Sequence, residues 1–164
     1  MVNAMNTITI RPATLNDVEQ IMQFVIDLAI YEKEEDAVVA TPEHFGEALF
    51  CDNPQAHCLI AEINGNAVGF AVYFYSFSTW LGQHGIYLED LYVSPESRGS
   101  GAGKALLKEL AKIAVKKNFG RVEWSVLDWN EPSIEFYKAM GAKPKDGWTV
   151  YRLSDDALND FANA

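Results

Sequence analysis

The 164-residue chain holds two cysteines, three histidines and, before residue 98, only two basic side chains. Each shortage excludes something. Cys51 and Cys58 cannot build a disulfide framework, and their spacing fits no zinc motif. His44, His57 and His84 are scattered along the sequence, so no metal site is expected. No apolar run reaches the length of a bilayer span. The N-terminus lacks the charged-then-apolar start of a secretory leader, and the expectation is a cytoplasmic protein that does not engage a membrane. A net charge of −10 argues against nucleic acid as a partner.

What the chain does have is apolar and aromatic content. A hydrophobic share of 49% with 12% aromatic residues excludes a disordered polymer. The length suits one domain over residues 1–164; residues 1–5 look dispensable, with Met5 as an alternative start. The charge is segregated. Residues 1–97 carry 14 acidic groups against Arg11 and Lys33, whereas Arg98 to Arg121 carry seven basic groups against Glu109. One part suits a cationic partner and the other an anionic one.

Periodicity predicts the elements. Thr7 to Arg11 alternates as a strand. Thr14 and Asp17 form a capping pair for a helix from Leu15 to about Tyr31, with Val18, Ile21, Met22, Val25, Leu28 and Ala29 as its apolar stripe. Glu32 to Asp36 is an acidic loop, and Thr41-Pro42 opens a second helix. His57–Ile63 and Ala67–Phe77 are strands joined by an Asn64-Gly65 hairpin turn, and Gly85–Val93 is the next strand. A helix runs from the glycine-rich segment to about Lys117. Its core-facing Leu106, Leu107, Leu110, Ile113 and Ala114 oppose Lys104, Lys108, Lys112 and Lys116. Arg121–Val126 is a strand, Asn130-Glu131-Pro132 starts a helix ending at Gly141, and Trp148–Leu153 closes as a strand before a short helix after Ser154. The class is α/β: a central mixed, mostly antiparallel sheet with helices on both faces.

The segment Arg98-Gly99-Ser100-Gly101-Ala102-Gly103-Lys104 carries the clearest chemistry. It joins a strand to a helix and leaves backbone N–H groups bare at a helix N-terminus, which favours a bound phosphate. The spacing fails the P-loop, which needs Gly at position 98 and Ser or Thr at position 105. It also fails the dinucleotide fingerprint, because Lys104 or Leu106 falls where the third glycine belongs. What remains is Arg-x-x-Gly-x-Gly. Without further motifs, a glycine-rich turn capping a helix is the better explanation.

Further motifs are present. Ile10-Arg11-Pro12-Ala13-Thr14, Glu62 through Val68-Gly69-Phe70-Ala71, Tyr87-Leu88-Glu89-Asp90, Arg98 to Gly103, Trp129-Asn130-Glu131-Pro132-Ser133, Phe136-Tyr137-Lys138 and Gly147-Trp148 occur in one order along nearly the whole chain. In this the sequence resembles the GNAT acyl-CoA N-acyltransferases, and most specifically the diamine (spermidine/spermine) N-acetyltransferases. The resemblance implies the GNAT fold and acetyl-CoA as cosubstrate. Gly99, Ser100, Gly101, Ala102, Gly103 and Lys104 with Arg98 would hold the pyrophosphate. The backbone of Leu91, Tyr92 and Val93 would pair with the pantetheine arm along a bulged strand. Asn130 and Ser133 would contact pantetheine, a role compatible with helix capping.

The reaction sets its own demands. An alkylamine with a pKa near ~10 attacks a thioester only after losing a proton, and the leaving thiolate needs one. By resemblance Tyr137 is the general acid, and Glu89 deprotonates the amine, through water, and holds it. Adjacent strand residues point to opposite faces, so Glu89 and Asp90 are expected to face apart, and Asp90 is left open between a functional and a structural role. Tyr31, Glu32, Asp128, Trp129 and Trp148 are placed near the amine by the same resemblance, as acidic and aromatic groups that suit an alkylammonium. The resemblance also implies direct transfer within a ternary complex and a homodimer.

The chain departs from the pattern in three places. Lys33 adds a cation beside Glu32, the segment between Gly141 and Trp148 is short, and the Asn64-Gly65 hairpin is tight. These leave the acceptor open: a polyamine or diamine first, a thialysine-like amino acid or other small amine second. Two readings of other kinds stand beside them, a non-catalytic acyl-CoA sensor and a protein acetyltransferase. A sensor would need neither Glu89 nor Tyr137.

Overall fold

The computed structural model describes residues 7–164; the expectation for residues 1–5 lies outside them. The chain divides into two compact units, one ending at Ser125 and the other comprising Val126–Ala164.

The first unit is a five-stranded sheet in the order β1-β2-β3-β4-β5, with β1 Ile8–Pro12, β2 Ala56–Ile63, β3 Asn66–Ser78, β4 Gln83–Val93 and β5 Val122–Trp124. All neighbours are antiparallel except β4 and β5, which run parallel. The β2–β3 turn has the two positive φ angles that a type I′ hairpin demands, +52° at Asn64 and +81° at Gly65. Helices α1 (Val18–Glu32) and α2 (Pro42–Phe50) cover one face, and α3 (Ala102–Lys116) covers the other.

The α1 face is sealed by Ile21 and Phe24 of α1, Leu49 of α2, and Cys58, Ile60, Phe70, Val72 and Tyr92 of the sheet. Phe24 stacks tilted on Phe70 at 5.5 Å and on Tyr92 at 5.8 Å between ring centroids. Ile21, Ile60, Phe70, Leu106 and Leu110 are wholly inaccessible. Each contributes about 1.5–3 kcal/mol through burial. The start of α1 is pinned electrostatically. Thr14 and Asp17 form the expected capping box, ahead of a single 3-10 turn at Leu15–Asp17. Asp17 also pairs with Arg11 at 2.8 Å, and Arg11 reaches Glu62 on β2 at 2.7 Å. The Arg11 guanidinium holds the Asp17 carboxyl down at about 2.

The second unit contains α4 (Glu131–Ala139) and α5 (Asp155–Ala162). Two expectations need correction here. The strand predicted over 121–126 is only Val122–Trp124. The strand predicted at Trp148–Leu153 is absent. Its residues have no ladder partner among the described residues, and an extended segment without a ladder leaves its N–H and C=O groups to water.

Candidate functional site

The end of β4 is where the sheet opens. β5 pairs only with Ile86, Tyr87 and Leu88. Beyond Leu88, β4 continues to Val93 with no ladder partner on that side among the described residues. The register against β3 breaks at the same point: Tyr73 faces Leu88 and Val72 faces Asp90, so Glu89 is the extra residue of a β-bulge. A bulge bends its strand and increases the local twist, which accounts for the parting of β4 from β5. The result is a row of backbone groups from Glu89 to Val93 along an edge that has no ladder partner among the described residues.

The bulge also bears on the expectation for Glu89 and Asp90. Strict alternation does not hold across a bulge, so the two carboxylates need not face apart. Asp90 lies on the α1 face in register with Val72, where burial first, and then the charges of Glu89 and Glu32, push its carboxyl up to about 6. Glu32 is the last residue of α1 and is itself raised by burial and by Glu34. Its position is fixed by a Schellman-type ending: Lys33 takes φ +63° and donates to the Ile30 carbonyl at 3.1 Å, while Glu34 donates to Ala29 at 2.9 Å. Glu32 and Glu89 thus lie close enough for their charges to act on Asp90.

An aspartate with a raised folded-state pKa binds its proton more tightly folded than unfolded. It therefore destabilises the fold once the pH passes about 4, and fully so above about 6. Asp90→Asn should raise the melting temperature at pH 7, a gain that vanishes below pH 4. Thermal melts at the two pH values check both signs.

The loop after β4 has the geometry of an anion cradle. Gly99 and Gly101 adopt φ +80° and +97°, a region that residues with a side chain avoid. The Ser100 hydroxyl accepts from the Ala102 N–H at 3.3 Å, and the first helical bond runs from the Ala105 N–H to the Gly101 carbonyl at 2.9 Å. The N–H groups of Gly103 and Lys104 remain at the open, electropositive end of α3. Arg98 turns back from this loop. Its Nε donates to the Val93 carbonyl at 3.0 Å, and its guanidinium lies 5.0 Å from the ring centroid of Tyr31 and 5.8 Å from that of Tyr92. The first unit therefore brings together Tyr31, Glu32, Glu89, Leu91, Tyr92, Val93 and the 98–104 loop. The bulge agrees with the bulged strand that the resemblance implied, whereas the Arg98–Tyr31 stack leaves no local pattern in the sequence.

The remaining candidates lie in the second unit. Asn130 is buried and caps α4 by accepting from the Ser133 N–H at 3.4 Å. Pro132 sits in the first turn. Ser133, Phe136, Tyr137 and Met140 follow at helical spacing, and the Phe136 and Tyr137 rings are 5.5 Å apart. Asp128 and Trp129 precede the cap on an exposed turn, with the Trp129 carbonyl accepting from the Glu131 N–H at 2.9 Å. Trp148 stands in the irregular stretch, exposed.

Among the described residues no group of three His, Cys, Asp or Glu side chains is placed to hold a metal, and no helix is long and apolar enough to cross a membrane.

The model of the acetyltransferase (GNAT) family matches residues 25–142. A thialysine N-epsilon-acetyltransferase of Sus scrofa is 37% identical, with 96% of this chain and 99% of that protein covered. A human spermidine/spermine N(1)-acetyltransferase-like protein 1 is 34% identical over 97% of this chain and 24% of its own length. Among solved structures, an integron cassette protein from the mobile metagenome of V. cholerae superposes with a TM-score of 0.79 and 27% identity, covering 96% of this chain and 98% of that one.

Proposed function

The chain belongs to the GNAT acetyltransferase family, and from that premise we propose that it moves the acetyl group of acetyl-CoA to the side-chain amine of a small lysine-like amino acid of the thialysine type. Membership makes it an acetyl-CoA-dependent N-acetyltransferase acting on a small amine. The observation that carries the choice of acceptor is the 37% identity to a thialysine N-epsilon-acetyltransferase over nearly the full length of both chains. It reverses the order set by the motifs, which placed polyamines first. Lys33, directly after Glu32, supports the reversal: a second cation there disfavours a substrate with several positive charges more than one with a single side-chain ammonium.

The roles follow from chemistry and position. The 98–104 loop takes the pyrophosphate on the N–H groups of Gly103 and Lys104. The edge of Glu89–Val93 receives the pantetheine amides as an added strand would; Asn130 and Ser133 are further pantetheine residues by resemblance. The carboxylates of Glu32, Glu89 and Asp90 accept the ammonium, flanked by Tyr31; Asp128, Trp129 and Trp148 are further acceptor residues by resemblance. Glu89 relays the amine proton away through water. The neutral amine then attacks the thioester carbonyl, the C–S bond breaks, and Tyr137 protonates the departing sulfur. No enzyme group becomes acetylated. A polyamine acceptor is the second reading, favoured by the acidic run Glu34, Glu35 and Asp36. A homodimer and a cytoplasmic setting complete the reading by resemblance.

Initial rates with thialysine, lysine, ornithine, putrescine and spermidine, followed through release of free CoA thiol, rank the acceptors. Thialysine should lead in kcat/KM. Spermidine ahead by tenfold or more would replace the first reading with the second.

A further inference from the structure

Arg98 opens the glycine loop, yet its side chain turns back to the end of α1 and to β4. One planar group touches three elements. Its backbone begins the cradle ahead of α3, its Nε holds the last carbonyl of β4, and its guanidinium faces the Tyr31 ring at the end of α1 and the Tyr92 ring on β4. Tyr31 directly precedes Glu32, whose charge acts on Asp90. All of these residues lie within the first unit.

We propose that Arg98 is a positioning residue that couples the two substrates: filling the loop with CoA fixes Arg98, Arg98 fixes Tyr31, and the amine then meets a preset Glu32. The inference rests on the reading of the 98–104 loop as the CoA cradle and of Tyr31–Glu32 as part of the amine site. A loop that wraps an anion loses freedom at its first residue, so the stack on Tyr31 is held more firmly when the cradle is full. The ordering that the amine would otherwise impose on the end of α1 is then already in place, and its binding tightens. Linkage makes the effect mutual: the amine must tighten CoA by the same factor. The contact is specific to shape as well as charge. A guanidinium lies flat on a ring, whereas a lysine ammonium is a hydrated point charge, and a leucine in place of Tyr31 offers no negative ring face.

Calorimetric titration of CoA into the full chain, with and without saturating thialysine, tests the coupling in a complex that cannot turn over. A parallel pair of titrations uses spermidine, so that an error in the acceptor does not hide the effect. In the wild type, the better-binding amine should tighten CoA by about fivefold or more, within the usual span of coupling energies. Tyr31→Leu should lose the coupling even at amine concentrations that saturate the variant itself. Tyr31→Phe keeps the ring and should keep the coupling, an outcome that a merely structural role for the phenol would not produce. Arg98→Lys, which keeps the charge, should also lose it, and serves if Tyr31→Leu does not fold. Undiminished coupling in Tyr31→Leu or Arg98→Lys overturns the proposal. Absence of coupling in a wild type that binds both substrates overturns it and leaves the reading of the loop intact. Failure of the wild type to bind CoA overturns that reading and the proposal with it.

Discussion

Tyr137→Phe should lower kcat by about 10²–10⁴-fold, the range for removing a positioned general acid, while leaving KM for acetyl-CoA nearly unchanged. The substitution isolates the hydroxyl. Asn130 caps α4 through the Ser133 N–H, and Tyr137 follows one turn later at the spacing that sets it beside Ser133. Its ring packs 5.5 Å from Phe136, a contact that phenylalanine keeps. What is lost is the proton donor. Phenols of ordinary acidity, near ~10, hold their proton at neutral pH, whereas thiols near ~8.5 leave as the anion unless protonated. A loss in kcat without a loss in CoA affinity marks an interaction made only in the transition state. Steady-state kinetics with stopped turnover controls for folding, by far-UV circular dichroism, decide it; unchanged kcat removes Tyr137 from the mechanism.

Glu89→Gln should lower kcat/KM for the amine by about 10²-fold or more and leave KM for acetyl-CoA near its original value. Glutamine preserves length and the bulge and removes only the charge and the base. A second signature follows from the neighbouring carboxylate. Asp90 is raised to about 6 by burial, by Glu89 and by Glu32. Removing the Glu89 charge withdraws one of the two like-charge influences, so Asp90 should ionise at lower pH. The acid limb of the kcat/KM profile for the amine should therefore move toward acid in Glu89→Gln even as the plateau falls. A plateau that falls with no movement of the limb would separate Glu89 from Asp90 and place the two carboxylates in different roles.

These expectations show which parts of the molecule could be read from its residues. The strands and helices of the first unit were legible because each carries its own signal: alternation in β1, Thr14 and Asp17 ahead of α1, Pro42 at the start of α2, and Asn64-Gly65 between β2 and β3. The loop was legible as a tight strand-to-helix turn because glycine at 99 and 101 is the residue that positive φ requires. The β4 bulge was legible only through the resemblance, because a register skip depends on the partner strand and leaves no mark in either sequence alone. Across a bulge the alternation of Glu89 and Asp90 does not follow from their being neighbours. Trp148–Leu153 failed for the opposite reason. Its pattern is that of a strand, but a strand exists only through a partner, and pattern cannot supply one. Arg98 was read from its motif as a phosphate residue; its stack on Tyr31 joins positions far apart in sequence and became visible only in three dimensions. The acceptor was the least legible part, because acidic and aromatic residues suit every small cation.

The central claim is that this chain acetylates the side-chain nitrogen of a small lysine-like amine directly from acetyl-CoA. The measurement that meets it most directly is a single reaction of purified protein with acetyl-CoA and thialysine, in which thiol release is timed and the product is mapped by tandem mass spectrometry. The account predicts thiol release that depends on the amine, matched one for one by acetyl on the side-chain nitrogen, with none on the protein. Thiol release no faster than hydrolysis with thialysine and with every amine of the panel, from a folded protein that binds CoA, would contradict it.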